Sequence, residues 1–541
     1  MNENTRLMLA LGLTIVVLVI WNILFPPAQN QLTQNSTRQK SAKQESVLPS
    51  NKGNTWGQKA SYAEEESSNF SFSKGEILTI KTPLYTAYVN TQGGILEEYE
   101  LTRYKATIDS DSPNVKLVDK KVVAKGPLGI LWNYNPTWKF AKWEYVGESK
   151  KIKNNEKLEL TFKTKLDTIT IVKTLTFYGN HYKIDEDLSI LNTSDHPVTG
   201  ILGLTLATTP MENEQSRFNK VQIVYYTKDK DLKKESSEKK LKTGIEFKQP
   251  INWAGIEDNY FLVSVVPLNG EYAVKGKLEH GIYRVAVESE LNIPQNNKTS
   301  LKNIYYIGPK KEEYLKSVPN RLSAAINYGW LDILAKPLVK ALNFFYKYTG
   351  NYGIAIIILT IVIKIILWPL SHKSYKSMEQ MKKLQPILQQ LKEKYKDDKQ
   401  KLNEEMMRLY KTYKINPAGG CVPMLLQIPV FIALYEALLG AIELRHSPFI
   451  VHLPFTDIIW LADLSAKDPL YITPILMGIT MFIQQKMTPS SGDPTQAKLM
   501  LIMPVFLTFL FLNFPSGLVV YFITNNVLSI IQQWWLLKNN K

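Results

Sequence analysis

The chain contains one cysteine, Cys421, in 541 residues, which excludes an intramolecular disulfide and any cysteine-cluster metal site. Its six histidines are scattered at positions 181, 196, 280, 372, 446 and 452, and no HExxH stretch sets two of them on one helix face. No GxxxxGK(S/T) stretch occurs, so nothing points to a phosphate-cradling loop that couples nucleotide hydrolysis to work. No Ser-Lys arrangement or paired carboxylates with recognisable spacing lie in the apolar runs, which leaves an intramembrane protease without support. The expectation is a protein without metal or cofactor that is not an enzyme.

What the chain has in quantity is basic charge and unevenly placed apolar residues. The net charge is +16, which in a soluble protein suggests nucleic acid, but much of the excess lies beside apolar runs, where membrane topology is the commoner cause. No specific nucleic-acid partner is expected. The mean hydropathy of −0.16 averages two unlike regions. Residues 26–320 are polar with short alternating patterns, and beyond residue 350 several runs reach membrane-spanning length.

The first run, 7–25, is apolar for 19 residues behind Arg6. A signal-peptide core is only about 7–15 residues long, and the following PPAQNQ has no small-x-small cleavage site, so 1–25 reads as an uncleaved transmembrane anchor. Residues 26–75 are rich in Gln, Asn, Ser, Lys and Glu and read as a disordered tether. From residue 76 the stretches ILTIKT, LYTAYVNT, KLELTFKTKL, TITIVKTLTFY and YRVAVESEL alternate as strands do, with turn signals such as Gln92-Gly93-Gly94 between them. Many antiparallel strands over 76–320 predict a β-sandwich domain. Over 321–347 the period becomes helical, predicting an amphipathic helix at the membrane interface or packed on the β domain, with a kink or break at Pro337.

Further apolar runs lie at 353–370, 419–441, 469–487, 499–512 and 517–534. With the anchor, these predict a polytopic α-helical membrane protein of about six transmembrane helices: one in 348–371 and four in 416–536, ahead of a tail at 537–541. The basic stretch 372–415 is expected in the cytoplasm, which places both termini inside and the β domain outside. Within that stretch Met381, Leu384, Leu388, Leu391 and Tyr395 recur at helical spacing, as do Leu402, Met406, Leu409 and Tyr413. Two facing apolar seams around a turn at 396–399 predict a coiled-coil hairpin, its lysines either a solvated face or a docking surface for an anionic partner.

Lys364 places a charge in an apolar span, at a cost of about 2.5–3.5 kcal/mol. Counting helix rise, it lies about 9 Å from the inner end of its span, and Gln427 lies about 12 Å from the inner end of the next, so the two share a level. Glu436 stands about 25 Å up and is out of register as a partner. Thr360 is one turn from Lys364 on the same helix face. Either the lysine stem snorkels to the inner headgroups or the ammonium occupies a hydrated pocket open to the cytoplasm. The other intramembrane polar residues, Gln484, Gln485, Asn525 and Asn526, have interhelical hydrogen bonding as their ordinary explanation.

NPAGGCVPMLLQIPVFIALYEAL (416–438), LQPILQQLKEKYKDDKQKLNEEMMRLYK (384–411), LSAKDPLYITPILMGITMFIQQKM (464–487), FPSGLVVYFITNNVLSIIQQ (514–533) and NTQGG (90–94) resemble the YidC membrane protein insertases of Gram-negative bacteria. The resemblance implies a multi-pass protein of the bacterial inner membrane with a periplasmic sandwich similar to sugar-binding folds. It implies a hydrophilic groove, open to cytoplasm and lipid, that receives the polar tails of nascent inner-membrane proteins, alone or with the Sec translocon. Lys364, Thr360 and Gln427 would line the groove, while Ile428, Pro429, Val430 and Phe431 would contact the client's apolar span. The hairpin would meet the ribosome and the signal-recognition-particle receptor, and membrane lipids would border the groove. Two departures stand out: the family usually has arginine where this chain has Lys364, a point charge without a bidentate fork, and often tryptophan where it has Asn513. The competing readings are a secondary transporter, since intramembrane polar residues also mark ion paths, and a carbohydrate-active β domain, for which no carboxylate pair can be assigned.

Overall fold

The computed structural model describes residues 75–109, 111–147, 152–153, 155–211, 219–396, 398–413, 422–487 and 494–539. The expected anchor 1–25 and nearly all of the tether 26–75 lie outside them. Alternation becomes strand directly: in Ile169–Tyr178 the buried residues Ile169, Ile171, Lys173 and Leu175 fall at every second place, as the two-residue repeat of a strand requires.

These strands build three antiparallel sheets. One has nine strands, in the order Leu232–Glu235, Gln222–Thr227, Ile251–Glu257, Phe261–Pro267, Lys298–Pro309, Lys183–Asn192, Ile169–Tyr178, Lys157–Leu166 and Trp143–Val146. Another has six, centred on Ile282–Ile293 and Val198–Thr208. The third has four, Ile77–Lys81, Tyr85–Asn90, Ile95–Lys105 and Asn114–Val118. Leu175 and Val263 of the first sheet, Leu204 and Val285 of the second, and Val89 and Tyr99 of the third share one core, so the domain is a β-sandwich held by apolar burial.

A buried ion pair explains the NTQGG stretch. Gly93 and Gly94 take positive φ of 89° and 58°, where a side chain is strained, and their carbonyls turn onto the ammonium of Lys173. Lys173 Nζ donates to Gly94 O at 3.0 Å, to Gly93 O at 3.3 Å and to Leu128 O, and it lies 3.7 Å from Glu186 with both side chains fully buried. Burial pushes Lys173 down to about 8 against the pull of Glu186, and burial holds the Glu186 carboxyl above its ordinary value.

Eight longer helices follow among the described residues: α1 Asp332–Thr349, α2 Tyr352–Ile366, α3 Trp368–Lys394, α4 Lys399–Thr412, α5 Val422–Gly440, α6 Ile472–Met487, α7 Pro494–Phe511 and α8 Ser516–Asn539. A second core joins Leu342 of α1, Ile356 and Leu359 of α2, Leu434 and Leu438 of α5, Met477 of α6, Phe511 of α7 and Leu518 of α8. Helix α1 sets Ala335 and Val339 against Ala433 and Ala437 of α5. Its apolar face therefore meets helices rather than the sandwich, while Trp330 and Ile333 near its start are exposed. Helices α3 and α4 close on each other through Leu384, Leu388, Met381, Met406, Leu409 and Tyr410.

Two expectations are corrected. Of the kink or break expected at Pro337, the break does not occur: helix α1 runs through the proline, whose missing amide removes one hydrogen bond. The run 353–370 is not one straight helix: α2 ends at Ile366, and the chain bends by 62° into α3. Pro369 is the cause, since it cannot donate to the preceding turn but fits the first turn of a new helix, where it lies. Boundaries also shift, with α7 starting at Pro494 and α8 reaching Asn539. Among the described residues no single helix is long and apolar enough to cross a membrane; Tyr352–Ile366 and Trp368–Met381 reach that measure only as a bent pair.

Candidate functional site

The site is organised by α8. Tyr521, Asn525, Ser529 and Gln533 recur every four residues in YFITNNVLSIIQQ, so they form one polar stripe about 18 Å long on a largely apolar helix. Asn525, Ser529 and Gln533 are buried. Lys364 reaches the middle of the stripe from α2: its ammonium donates to Ser529 Oγ at 2.7 Å and to Asn525 Oδ1 at 3.2 Å. Ser529 in turn donates to Asn525 O at 2.8 Å, which leaves its oxygen lone pair for the ammonium.

Among the described residues no carboxylate lies within 4 Å of Lys364 Nζ. Its partners are neutral dipoles, which solvate a cation without cancelling its charge. Gln427 of α5 lies beside the Tyr521 hydroxyl, one turn along α8 from Asn525, so Lys364 and Gln427 approach neighbouring turns of the same stripe. At its other end the Tyr375 hydroxyl of α3 lies beside Ser529 and Gln533. Beside it, the Gln532 amide is fully buried, with neither its oxygen nor its nitrogen hydrogen-bonded among the described residues.

The other expected residues are dispersed. Thr360 is buried and its hydroxyl donates to Ile356 O of its own helix at 2.7 Å, so it is satisfied without meeting Lys364. Residues 428–431 cannot share a face, because successive helical residues are about 100° apart. Ile428 is exposed, Pro429 and Val430 are half-buried, and Phe431 turns inward with its ring 5.0 Å from Phe522 of α8. Glu436 lies near the sandwich, in a cavity that Lys234 and Lys310 also line. Asn513 is exposed between α7 and α8.

Sequence reading named Lys364, Gln427 and Asn525 but passed over Ser529, Tyr521, Tyr375 and Gln533. The four-residue spacing along α8 was the available signal. Serine and tyrosine are common in spans, and Tyr375 lies in the stretch 372–415 expected to form the hairpin.

Two family patterns together cover nearly all of the described part of the chain: "YidC periplasmic domain" over residues 77–341 and "60Kd inner membrane protein" over residues 344–541. The Membrane protein insertase YidC of Maridesulfovibrio salexigens is 47% identical over 539 residues, covering 100% of both chains. The chain belongs to the YidC membrane protein insertase family. The YidC of Nitratidesulfovibrio vulgaris is 48% identical, covering 99% of each chain. A crystal structure of an active YidC insertase aligns with 88% of this chain and 98% of its own, at 20% identity and a TM-score of 0.35. YidC relatives of this coverage give the transporter alternative no support, and the sandwich is the periplasmic domain of the family.

Proposed function

We propose that this chain inserts membrane proteins into the bacterial inner membrane, holding the hydrophilic tail of a nascent client along the α8 stripe while the client's apolar span moves into lipid. One observation carries the reading: Lys364 sits among apolar helices with its charge solvated by Asn525 and Ser529 and matched by no carboxylate among the described residues. Such a cation favours a polar or acidic guest that arrives transiently. Dipoles already pointing at the stripe lower the cost of bringing a hydrated tail there, and burial of the client's apolar span, at about 0.8 kcal/mol per CH₂, supplies the driving force.

Exposed apolar side chains support the same reading. Ile475, Ile479, Phe482 and Ile483 of α6 and Ile502, Val505, Phe506 and Phe509 of α7 are all exposed, a surface that water would not tolerate and lipid does. In this reading six spans place the sandwich in the periplasm and the α3–α4 hairpin in the cytoplasm, with α1 along the outer interface. Thr360 and Gln427 flank the client's path, and Ile428 with its neighbours 429–431 guides the apolar span. The Sec translocon, the ribosome and the signal-recognition-particle receptor are the proposed partners.

Insertion of a small single-span client into liposomes containing the purified chain tests the function. No gain over protein-free liposomes sinks it. Photo-crosslinking from positions 364, 427 and 431 to a stalled nascent chain tests the path; contacts at 364 and 427 in register with the client's tail are expected, and their absence rejects the groove.

A further inference from the structure

The helices and the sandwich meet around a cavity of about 240 Å³ that the insertion mechanism does not use. One wall belongs to the sandwich. There the fully buried Glu257 carboxylate lies 2.9 Å from Lys234 Nζ and 3.0 Å from Lys310 Nζ, and Gln222 donates to it at 2.9 Å. Lys234 and Lys310 line the cavity whereas the carboxylates that balance them, Glu257 and Asp258, do not, so the surface this wall presents is cationic. The opposite wall is the end of α5, where Glu436 lines the same space. Among the described residues no lysine or arginine comes within 4 Å of the Glu436 carboxylate. Asn259 spans the junction, donating to Leu439 O at 3.3 Å, and Asn327 adds a further amide to the lining.

The cavity is thus bipolar, cationic on the sandwich side and anionic on the helix side. Its volume equals about eight waters at ~30 Å³ each. It falls below the ~300 Å³ where pockets for drug-sized ligands begin. Gly329 forms part of the rim, and the next residue, Trp330, is exposed, as is Ile333 one turn on. Tryptophan and aliphatic side chains beside a polar cavity are what the headgroup level of a membrane favours.

We propose that this cavity is a binding site for the headgroup of an aminophospholipid. Its phosphate sits against Lys234 and Lys310, its primary ammonium donates to Glu436, and its acyl chains leave past Trp330 and Ile333. The site rests on the topology proposed above, which puts this end of α5 at the outer surface. A headgroup without an amine leaves Glu436 facing no cation of the ligand, and a quaternary choline has no N–H to donate to it. The bound lipid would pin the sandwich to α5, the helix that carries Gln427.

The test is native mass spectrometry of the full-length chain, stripped of lipid and titrated with phosphatidylethanolamine, phosphatidylglycerol and phosphatidylcholine. About tenfold preference for phosphatidylethanolamine is expected, the scale of one charge-assisted hydrogen bond. Glu436→Gln should level the three lipids, and Lys234→Gln should weaken all of them. Equal retention of the three lipids by the unaltered chain overturns the site, as does an unchanged preference in Glu436→Gln. Water-soluble glycerophosphoethanolamine binding as tightly as the lipid overturns a lipid source. Client insertion is measured on the same preparations: insertion that persists without lipid preference rejects this site alone, whereas no insertion at all rejects the functional reading beneath it.

Discussion

Removing Ser529 from beneath Lys364 should uncouple the charge from its depth. Ser529→Ala deletes the 2.7 Å hydrogen bond to the ammonium and leaves only Asn525 Oδ1 at 3.2 Å. A hydrogen bond to a charged group contributes about 1.5–3 kcal/mol, and about 1.4 kcal/mol is a tenfold change in a population. The ratio of Lys364 held on the stripe to Lys364 displaced should therefore fall roughly tenfold or more, its stem swinging towards the inner headgroups. Client insertion into proteoliposomes should drop with it. The decisive form is a double-mutant cycle with Lys364→Met, in which Ser529→Ala should cost activity when Lys364 is present and nothing when it is absent. Equal loss in both backgrounds would mean that Ser529 acts through packing alone, and the account of Lys364 as a positioned charge would be refuted.

Three further outcomes are expected. Lys364→Arg should keep insertion and Lys364→Ala should lose it, measured on the same client; indistinguishable activities would mean the residue only snorkels. Lys173→Met should lower the melting temperature of the full chain, since it leaves Glu186 buried without its cation, a loss of about 3–5 kcal/mol; adding Glu186→Gln should recover part of it, and a Lys173→Met chain as stable as the parent would contradict the buried pair. Burial raises the Glu279 carboxyl, but Arg284, Lys277 and Lys125 outweigh burial and hold it at about 2. Because its folded value lies below the unfolded one, its stabilisation is complete above pH 4.5 and disappears as pH falls towards 2. Acid melting should show that loss in the parent chain and a flatter profile in Glu279→Gln.

The sandwich was legible because its strands carry the two-residue alternation with turn residues between them; Lys157–Leu166 appears as one strand in sequence and structure alike. The site was legible only in part. Lys364 announces itself by cost, whereas Ser529 and Tyr521 are inexpensive in a span and become visible only when α8 is seen to present them to other helices. Depth counting along separate helices placed Lys364 and Gln427 within one turn of each other but did not indicate that α8 is what joins them. Residues 428–431 were expected as a contact surface from the family resemblance, and on α5 they are spread round the helix.

By itself the sequence determined what each segment must do with its apolar surface: alternate it in strands, gather it in helices, and leave Lys364 as an expense needing a partner. It also carried the signal for the bend at Leu367, because Pro369 cannot donate to the preceding turn and suits the first turn of a new helix. Only the tertiary structure decided which groups meet. The ammonium of Lys364 finds Asn525 and Ser529, 161 and 165 residues away, and Lys173 finds the carbonyls of Gly93 and Gly94, 80 and 79 residues away. Such pairings depend on how helices and sheets pack across long separations, and local pattern carries no record of that.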